Sequence, residues 1–165
     1  MGLLLYRLSI LLYRLGIFLV QPWNEKARQW IAGRHSGLEK LQKQRAGLPG
    51  PLVWMHCASL GEFEQGRPIL EAFREKYPEY RIALSFFSPS GYEVRKNYAG
   101  ADLVFYLPTD SPGNASRLLQ ILQPRLVLWV KYEYWYFHLR AAFSAGVPIL
   151  LCSAIFRDNQ VFFRW

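Results

Sequence analysis

From Pro51 onward the chain alternates short apolar runs with segments of helical period, and this alternation constrains its fold more than any other feature. Leu52–Cys57, Arg81–Phe87, Leu103–Tyr106, Arg125–Val130 and Val147–Cys152 read as strands. Glu62–Tyr77, Gly91–Tyr98, Pro112–Leu122 and Tyr134–Ala145 read as the helices between them. Runs such as Leu126-Val-Leu-Trp-Val130 are apolar on both faces, which suits a parallel sheet covered on both sides. Strands separated by helices imply βαβ units and hence a doubly wound α/β domain. Neither G-x-G-x-x-G nor G-x-x-x-x-G-K-[ST] occurs, so a dinucleotide or P-loop site lacks the motif its chemistry requires.

The segment before Pro51 is of a different kind. Leu3 to Val20 is apolar except for Arg7, Ser9, Arg14 and Gly16, and it repeats after seven residues, Leu4-Leu-Tyr-Arg-Leu-Ser-Ile10 then Leu11-Leu-Tyr-Arg-Leu-Gly-Ile17. On a helix, Arg7 and Arg14 then share a face with Tyr6 and Tyr13 beside them, a pattern suited to an interfacial membrane helix. The run is also just long enough to span a bilayer, at a cost for two arginines. It lacks the n-region and cleavage site of a signal peptide. Residues 1–50 hold eight Lys/Arg against two Asp/Glu, while residues 51–165 hold twelve against ten, so most of the net +8 lies in this arm. The positive-inside rule then places the following domain in the cytoplasm, on the inner face of the membrane. A nearly neutral folded part argues against nucleic-acid binding. Gly47-Leu-Pro-Gly-Pro51 marks the boundary, giving a membrane-anchoring helix at 1–20, a basic connector at 21–50 and the α/β domain at 51–165. Cys57 and Cys152, at the ends of predicted strands, read as buried free thiols, and no His/Cys cluster calls for a metal.

Chemistry is expected where strands end. After the first strand come Ala58-Ser59-Leu60-Gly61-Glu62. Ser59 can cap the helix, Gly61 lets backbone pass closely, and the helix dipole favours the ionised carboxylate of Glu62, the form a general base needs. The same S-x-x-E spacing equally fits a capping box, and local pattern does not separate the two. Ser88-Pro89-Ser90-Gly91 follows the second strand and can offer hydroxyls and N–H groups to an anion, although a simple turn explains it as well. Leu107–Pro112 reads as a helix start, with Asp110 or Ser111 as N-cap and Pro112 at the first helical position. Lys131-Tyr-Glu-Tyr-Trp135 places Lys131, Glu133 and Trp135 where a ligand would sit; Trp135 is equally well a packing residue. If the chain stays extended, Lys131 and Glu133 share a face and pair.

These motifs resemble those of the 3-deoxy-D-manno-octulosonic acid (Kdo) transferases. A His-x-x-Ser-x-Gly-Glu turn is matched by His56, Ser59, Gly61 and Glu62; a Thr-Pro-[Ser/Thr]-Gly loop by Ser88–Gly91; a Tyr-Leu-Pro-x-Asp-x-Pro segment by Tyr106–Pro112; and Glu-x-Glu-x-Trp, in part, by Lys131–Trp135. The resemblance implies the Rossmann-like N-terminal half of a GT-B glycosyltransferase, preceded by a membrane-associated helix. It implies inverting transfer of Kdo from CMP-Kdo to a lipid A precursor, with no cofactor and Glu62 as general base. It also implies a substrate-binding set of Ser59, Gly61, Ser88, Ser90, Gly91 and Trp135, with Arg7 and Arg14 at an anionic inner-leaflet surface. Lys131 departs from the family, which has a glutamate there; a contact to the Kdo carboxylate or a lipid phosphate is one substitute role, and replacement by Glu133 is another. The donor domain is expected to be missing, so the chain alone is expected to be inactive. The competing reading is a catalytically silent, membrane-docked α/β module that binds an anionic lipid or a protein partner.

Overall fold

The computed structural model describes residues 2–131 and 133–154. Its centre is a five-stranded, all-parallel sheet in the order β3-β2-β1-β4-β5, built from β1 (Leu52–Cys57), β2 (Arg81–Phe86), β3 (Leu103–Tyr106), β4 (Leu126–Val130) and β5 (Ile149–Cys152). Every residue of β1 is buried, His56 included, as its otherwise apolar sequence requires of a central strand. Alternate side chains of β1 feed two cores. Leu52 and Trp54 join Leu41, Leu118, Leu122 and Ala142 on one face; Val53, Met55 and Cys57 join Phe63 and Leu70 on the other. The crossover helices accordingly divide, α4 (Leu60–Lys76) and α5 (Pro89–Arg95) after the first two strands, α6 (Pro112–Leu122) and α7 (Tyr136–Ser144) after the next two. This is the Rossmann-like α/β architecture expected. Cys57 and Cys152 are buried free thiols.

Residues 21–50, read above as a connector, carry two helices, α2 (Glu25–Arg34) and α3 (Gly37–Ala46). Asn24 caps α2 by accepting from the Ala27 N–H at 3.1 Å. Each helix buries little, Ala27 and Trp30 from α2 and Leu41 from α3, so neither shows a full apolar stripe. Gly33 lets α2 lie directly on the Tyr106 ring, where a Cβ would come within 2.1 Å of a ring carbon. That close approach delivers Arg34 to the carboxyl edge of the sheet.

The N-terminal segment is one helix, α1 (Gly2–Val20), with no buried residue, long and apolar enough to cross a membrane. A stripe of Tyr6, Ile10, Tyr13 and Ile17 faces the domain at heptad spacing. The Tyr6 hydroxyl donates to Asp110 Oδ2 at 2.5 Å and accepts from the Tyr136 N–H at 3.3 Å. Tyr13 packs on Trp30 and Phe87 with ring centroids about 6 Å apart. Leu4, Leu8, Leu12 and Leu19 remain exposed.

Candidate active site

Strand order reverses between β1 and β4, which lie side by side, so the loops after them flank the crevice in which open α/β sheets bind ligands. The loop after β1 delivers Glu62 and the loop after β4 delivers Glu133. Ser59 is the N-cap of α4, yet its hydroxyl makes no capping bond. Glu62, at the third helical position, instead accepts from the Ala58 N–H through Oε2 at 2.5 Å. Because Ala58 precedes the N-cap, neither half of the reciprocal capping box is formed, and Oε1 has no hydrogen-bond partner among the described residues. A Cβ on Gly61 would meet no atom within 4 Å, so the expected close approach of protein backbone is not what Gly61 serves. It leaves open space over the start of α4.

Glu133 is half-buried, and burial drives its carboxyl pKa up to about 7, with the negative charge of Glu62 adding to the rise. The Trp135 indole N–H, 3.1 Å from Oε2, opposes that shift by stabilising the charged form. The two carboxylates are thus close enough to interact, and near neutral pH Glu133 carries a proton for part of the time. The Glu133 main-chain carbonyl is fixed by the Trp129 indole N–H at 2.7 Å and the Trp135 N–H at 2.9 Å. Trp135 stacks on Phe87 with centroids 4.4 Å apart, so it packs and positions at once.

Lys131 is placed differently from expectation. Its backbone is left-handed, with φ of 64°, and its N–H donates to the Cys152 carbonyl. The chain turns here instead of continuing extended, so the same-face argument fails. Among the described residues Lys131 makes no ion pair with Glu133.

The Ser88–Gly91 loop lies beside the β1 loop, tied to it by the Ser88 N–H donating to the Ala58 carbonyl at 2.7 Å. Ser88 caps α5, accepting from the Ser90 N–H, and its carbonyl accepts from the Gly91 and Tyr92 N–H groups. The loop's amide donors are used internally, which leaves the two hydroxyls, 3.0 Å apart, as its polar offer to a ligand. Gly91 is buried against Phe86, where a Cβ would fall 2.2 Å from the ring, so its lack of a side chain serves packing. His56 of the first motif is fully buried, hydrogen-bonded to Ser85 Oγ at 2.9 Å, with its pKa pressed to about 3 by burial. It is neutral at physiological pH.

Two residues important to this edge escape a reading by local pattern. Ser111, not Asp110, caps α6. Asp110, 3% exposed, reaches the start of α7 and accepts from the Phe137 N–H through Oδ2 and the His138 N–H through Oδ1. It therefore holds the helix that begins directly after the Glu133–Trp135 segment, and it receives Tyr6 from α1 as well. Arg34 stacks on Trp30, Phe87 and Tyr106 at 3.8, 4.9 and 4.9 Å from the ring centroids. Arg7 and Arg14 are exposed on α1, Arg7 lying 5.4 Å from the Phe137 ring centroid.

Comparison with known proteins gives a consistent result. Residues 30–164 match the profile of a family described as 3-deoxy-D-manno-octulosonic-acid transferase (kdotransferase). The chain is 34% identical over 128 residues to the 3-deoxy-D-manno-octulosonic acid transferase of Bordetella pertussis, covering 71% of this chain and 29% of that one. With the Chlamydia muridarum protein of the same name it shares 32% over 123 residues, 73% of this chain and 28% of that one. With the Haemophilus influenzae protein of that name it shares 28% over 111 residues, 66% and 26%. The chain thus spans little more than a quarter of these relatives. Among solved structures, a UDP-N-acetylglucosamine 2-epimerase superposes with a TM-score of 0.50 at 16% identity, over 71% of this chain and 37% of that one, a likeness of fold alone. The strand-end motifs, the Rossmann-like sheet that presents them and the match over most of its length place this chain in the Kdo transferase family.

Proposed function

We propose that this chain is the acceptor-binding half of a GT-B glycosyltransferase that moves Kdo from CMP-Kdo to a lipid A precursor. In this reading residues 51–165 form the acceptor-binding unit, with α2 and α3 packed on it and α1 as its anchor to the cytoplasmic face of the inner membrane. The observation that carries the reading is the pair of carboxylates, Glu62 and Glu133, on adjoining strand ends at the switch point of the sheet. Glu62 takes the proton from an acceptor sugar hydroxyl. The freed oxygen attacks the anomeric carbon of Kdo, and the bond to CMP breaks with inversion, its electron pair leaving on the phosphate. Glu133, raised to about pKa 7, assists as the second carboxyl and compensates for Lys131 at the position where the family has a glutamate. The open space over Gly61 and the hydroxyls of Ser59, Ser88 and Ser90 border the place of the acceptor sugar, and Trp135 forms its wall. The Ala58–Glu62 bond supports the rival reading, a silent membrane-docked module in which Glu62 only secures the helix start. Glu62→Gln in an active transferase carrying this domain decides between them. The variant should fold normally and lose about 10²–10⁴-fold in turnover, the usual loss for a general base. Near-normal turnover removes Glu62 from the mechanism.

A further inference from the structure

A crevice of about 630 Å³ runs between α1 and the α2–α3 pair, within the size range of roughly 300–1,000 Å³ typical of small-ligand sites. Its contents are unbalanced. Arg34 lines it, and the three hydrogen bonds of its guanidinium all end on main-chain carbonyls, Phe87 at 2.8 Å, Leu107 at 2.9 Å and Trp30 at 3.1 Å. Among the described residues it makes no ion pair, so its full charge stands uncompensated beside three aromatic rings. Burial pulls its pKa down to about 9, which still leaves it cationic at neutral pH. Of five guanidinium N–H groups, three are used and two remain to donate. Trp30, 6% exposed, also lines the crevice, and its buried indole N–H has no described partner. Arg14 adds a second cation, whereas Arg117 is already neutralised by Glu39 at 2.9 Å. Apart from Arg14, the α1 side of the crevice is apolar: Leu11, Leu15 and Phe18 fall on one face of that helix, while His35, Thr109 and Asn114 add polar groups elsewhere.

Unused donors and surplus positive charge beside an aliphatic stripe on a membrane-type helix match an anionic amphiphile. We propose that this crevice holds one anionic glycerophospholipid of the bilayer, its phosphate received by Arg34, Arg14 and the Trp30 N–H and an acyl chain laid along Leu11, Leu15 and Phe18. Phosphate suits the planar guanidinium fork, which donates two parallel N–H bonds to it. The site is distinct from that of the reacting sugar. Trp30, Arg34 and Tyr106 face the crevice, while Phe87 and Trp135 continue the same stack towards Glu133. This inference rests on α1 lying in a bilayer and is independent of the transfer chemistry.

Native mass spectrometry of the 165-residue chain released from a neutral detergent tests it, with dioleoylphosphatidylglycerol, dioleoylphosphatidylcholine and inorganic phosphate as probes. One phosphatidylglycerol should be retained per chain, and phosphatidylcholine at least about tenfold less. Arg14→Gln, which leaves the Arg34 stack untouched, and Trp30→Phe, which keeps an aromatic ring against Arg34 but removes the indole N–H, should each weaken retention by roughly tenfold or more, as expected for loss of one hydrogen bond to a charged group. Arg34→Gln should abolish it; if that variant does not fold, the other two carry the test. Equal retention of the two lipids, or phosphatidylglycerol retention untouched by both variants, overturns the proposal. Inorganic phosphate bound as tightly as phosphatidylglycerol overturns the lipid assignment. Flotation of the chain with vesicles, measured alongside, separates failure of this site from failure of α1 as an anchor.

Discussion

Asp110 offers the sharpest test of how the site loop is held. Its two oxygens accept the Phe137 and His138 N–H groups and the Tyr6 hydroxyl in a place that is 3% exposed. Asp110→Asn keeps the shape but replaces one acceptor oxygen with an NH2. If the remaining oxygen keeps Phe137 and Tyr6, the NH2 confronts the His138 N–H; in the other orientation two donors are stranded. One buried unsatisfied donor costs about 1–3 kcal/mol. Loss of a helix cap with its charge costs roughly 0.5–2 kcal/mol. Together these predict a destabilisation of about 2–4 kcal/mol, or a fall in Tm on the order of 5–15 °C for a chain of this size. Tyr6→Phe removes the bond to the carboxylate and the long one from the Tyr136 N–H but leaves the Phe137 and His138 N–H groups on Asp110, so it should cost only about 1–2 kcal/mol. Calorimetry in detergent gives the two melting temperatures. Hydrogen exchange at residues 137 and 138 should accelerate strongly in Asp110→Asn and little in Tyr6→Phe. An Asp110→Asn protein that melts within about 2 °C of the parent would refute this account of the α7 start.

Glu133 should leave a signature in the pH dependence of stability. Its carboxyl is raised from 4.5 to about 7 in the fold, so between those values the native state binds more protons than the unfolded chain and stability falls as pH rises. After allowance for partial solvent screening the effect is about 1–2 kcal/mol. Glu133→Gln should flatten that slope in urea titrations, and an unchanged slope counts against the shift. Gly91→Ala should destabilise by about 1–3 kcal/mol, because its Cβ would sit 2.2 Å from the Phe86 ring and force that buried side chain to move. A normal urea midpoint for this variant would mean that Phe86 yields more easily than its packing implies.

The sheet was legible because its signal is local and redundant. Every strand is a short apolar run, and helix period resumes after each of the first four, so boundaries such as Leu52–Cys57, Leu103–Tyr106 and Pro112–Leu122 fall where the pattern puts them. The helices α2 and α3 were not legible, because they bury three residues between them and their outward faces are polar. In the site, the strand-end rule located Glu62 and Glu133 without knowledge of strand order. The order supplied the reason they are neighbours. What escaped is what acts across long separations. Asp110 serves residues 27 and 28 positions away and a tyrosine 104 positions away, while Arg34 bonds to carbonyls 53 and 73 positions away. No spacing rule reaches that far. Lys131 was misplaced for the opposite reason, a single left-handed residue that ends the extended run on which the pairing argument depended.

The repeat in α1 has a mechanical consequence. Tyr6 and Tyr13 stand seven residues apart, about 10 Å along a helix, and each grips a different part of the domain, one at the α7 start and the other against Trp30 and Phe87. A rod pinned at a single point swings and rolls; one pinned at two does neither. The tilt of α1 relative to the sheet is therefore set by the protein, so any surface that takes up its outer face also fixes how far the Glu62 crevice stands above that surface. Reach towards a substrate embedded in the surface then becomes a property of seven residues of spacing: one residue inserted between the tyrosines would turn the second away by about 100°.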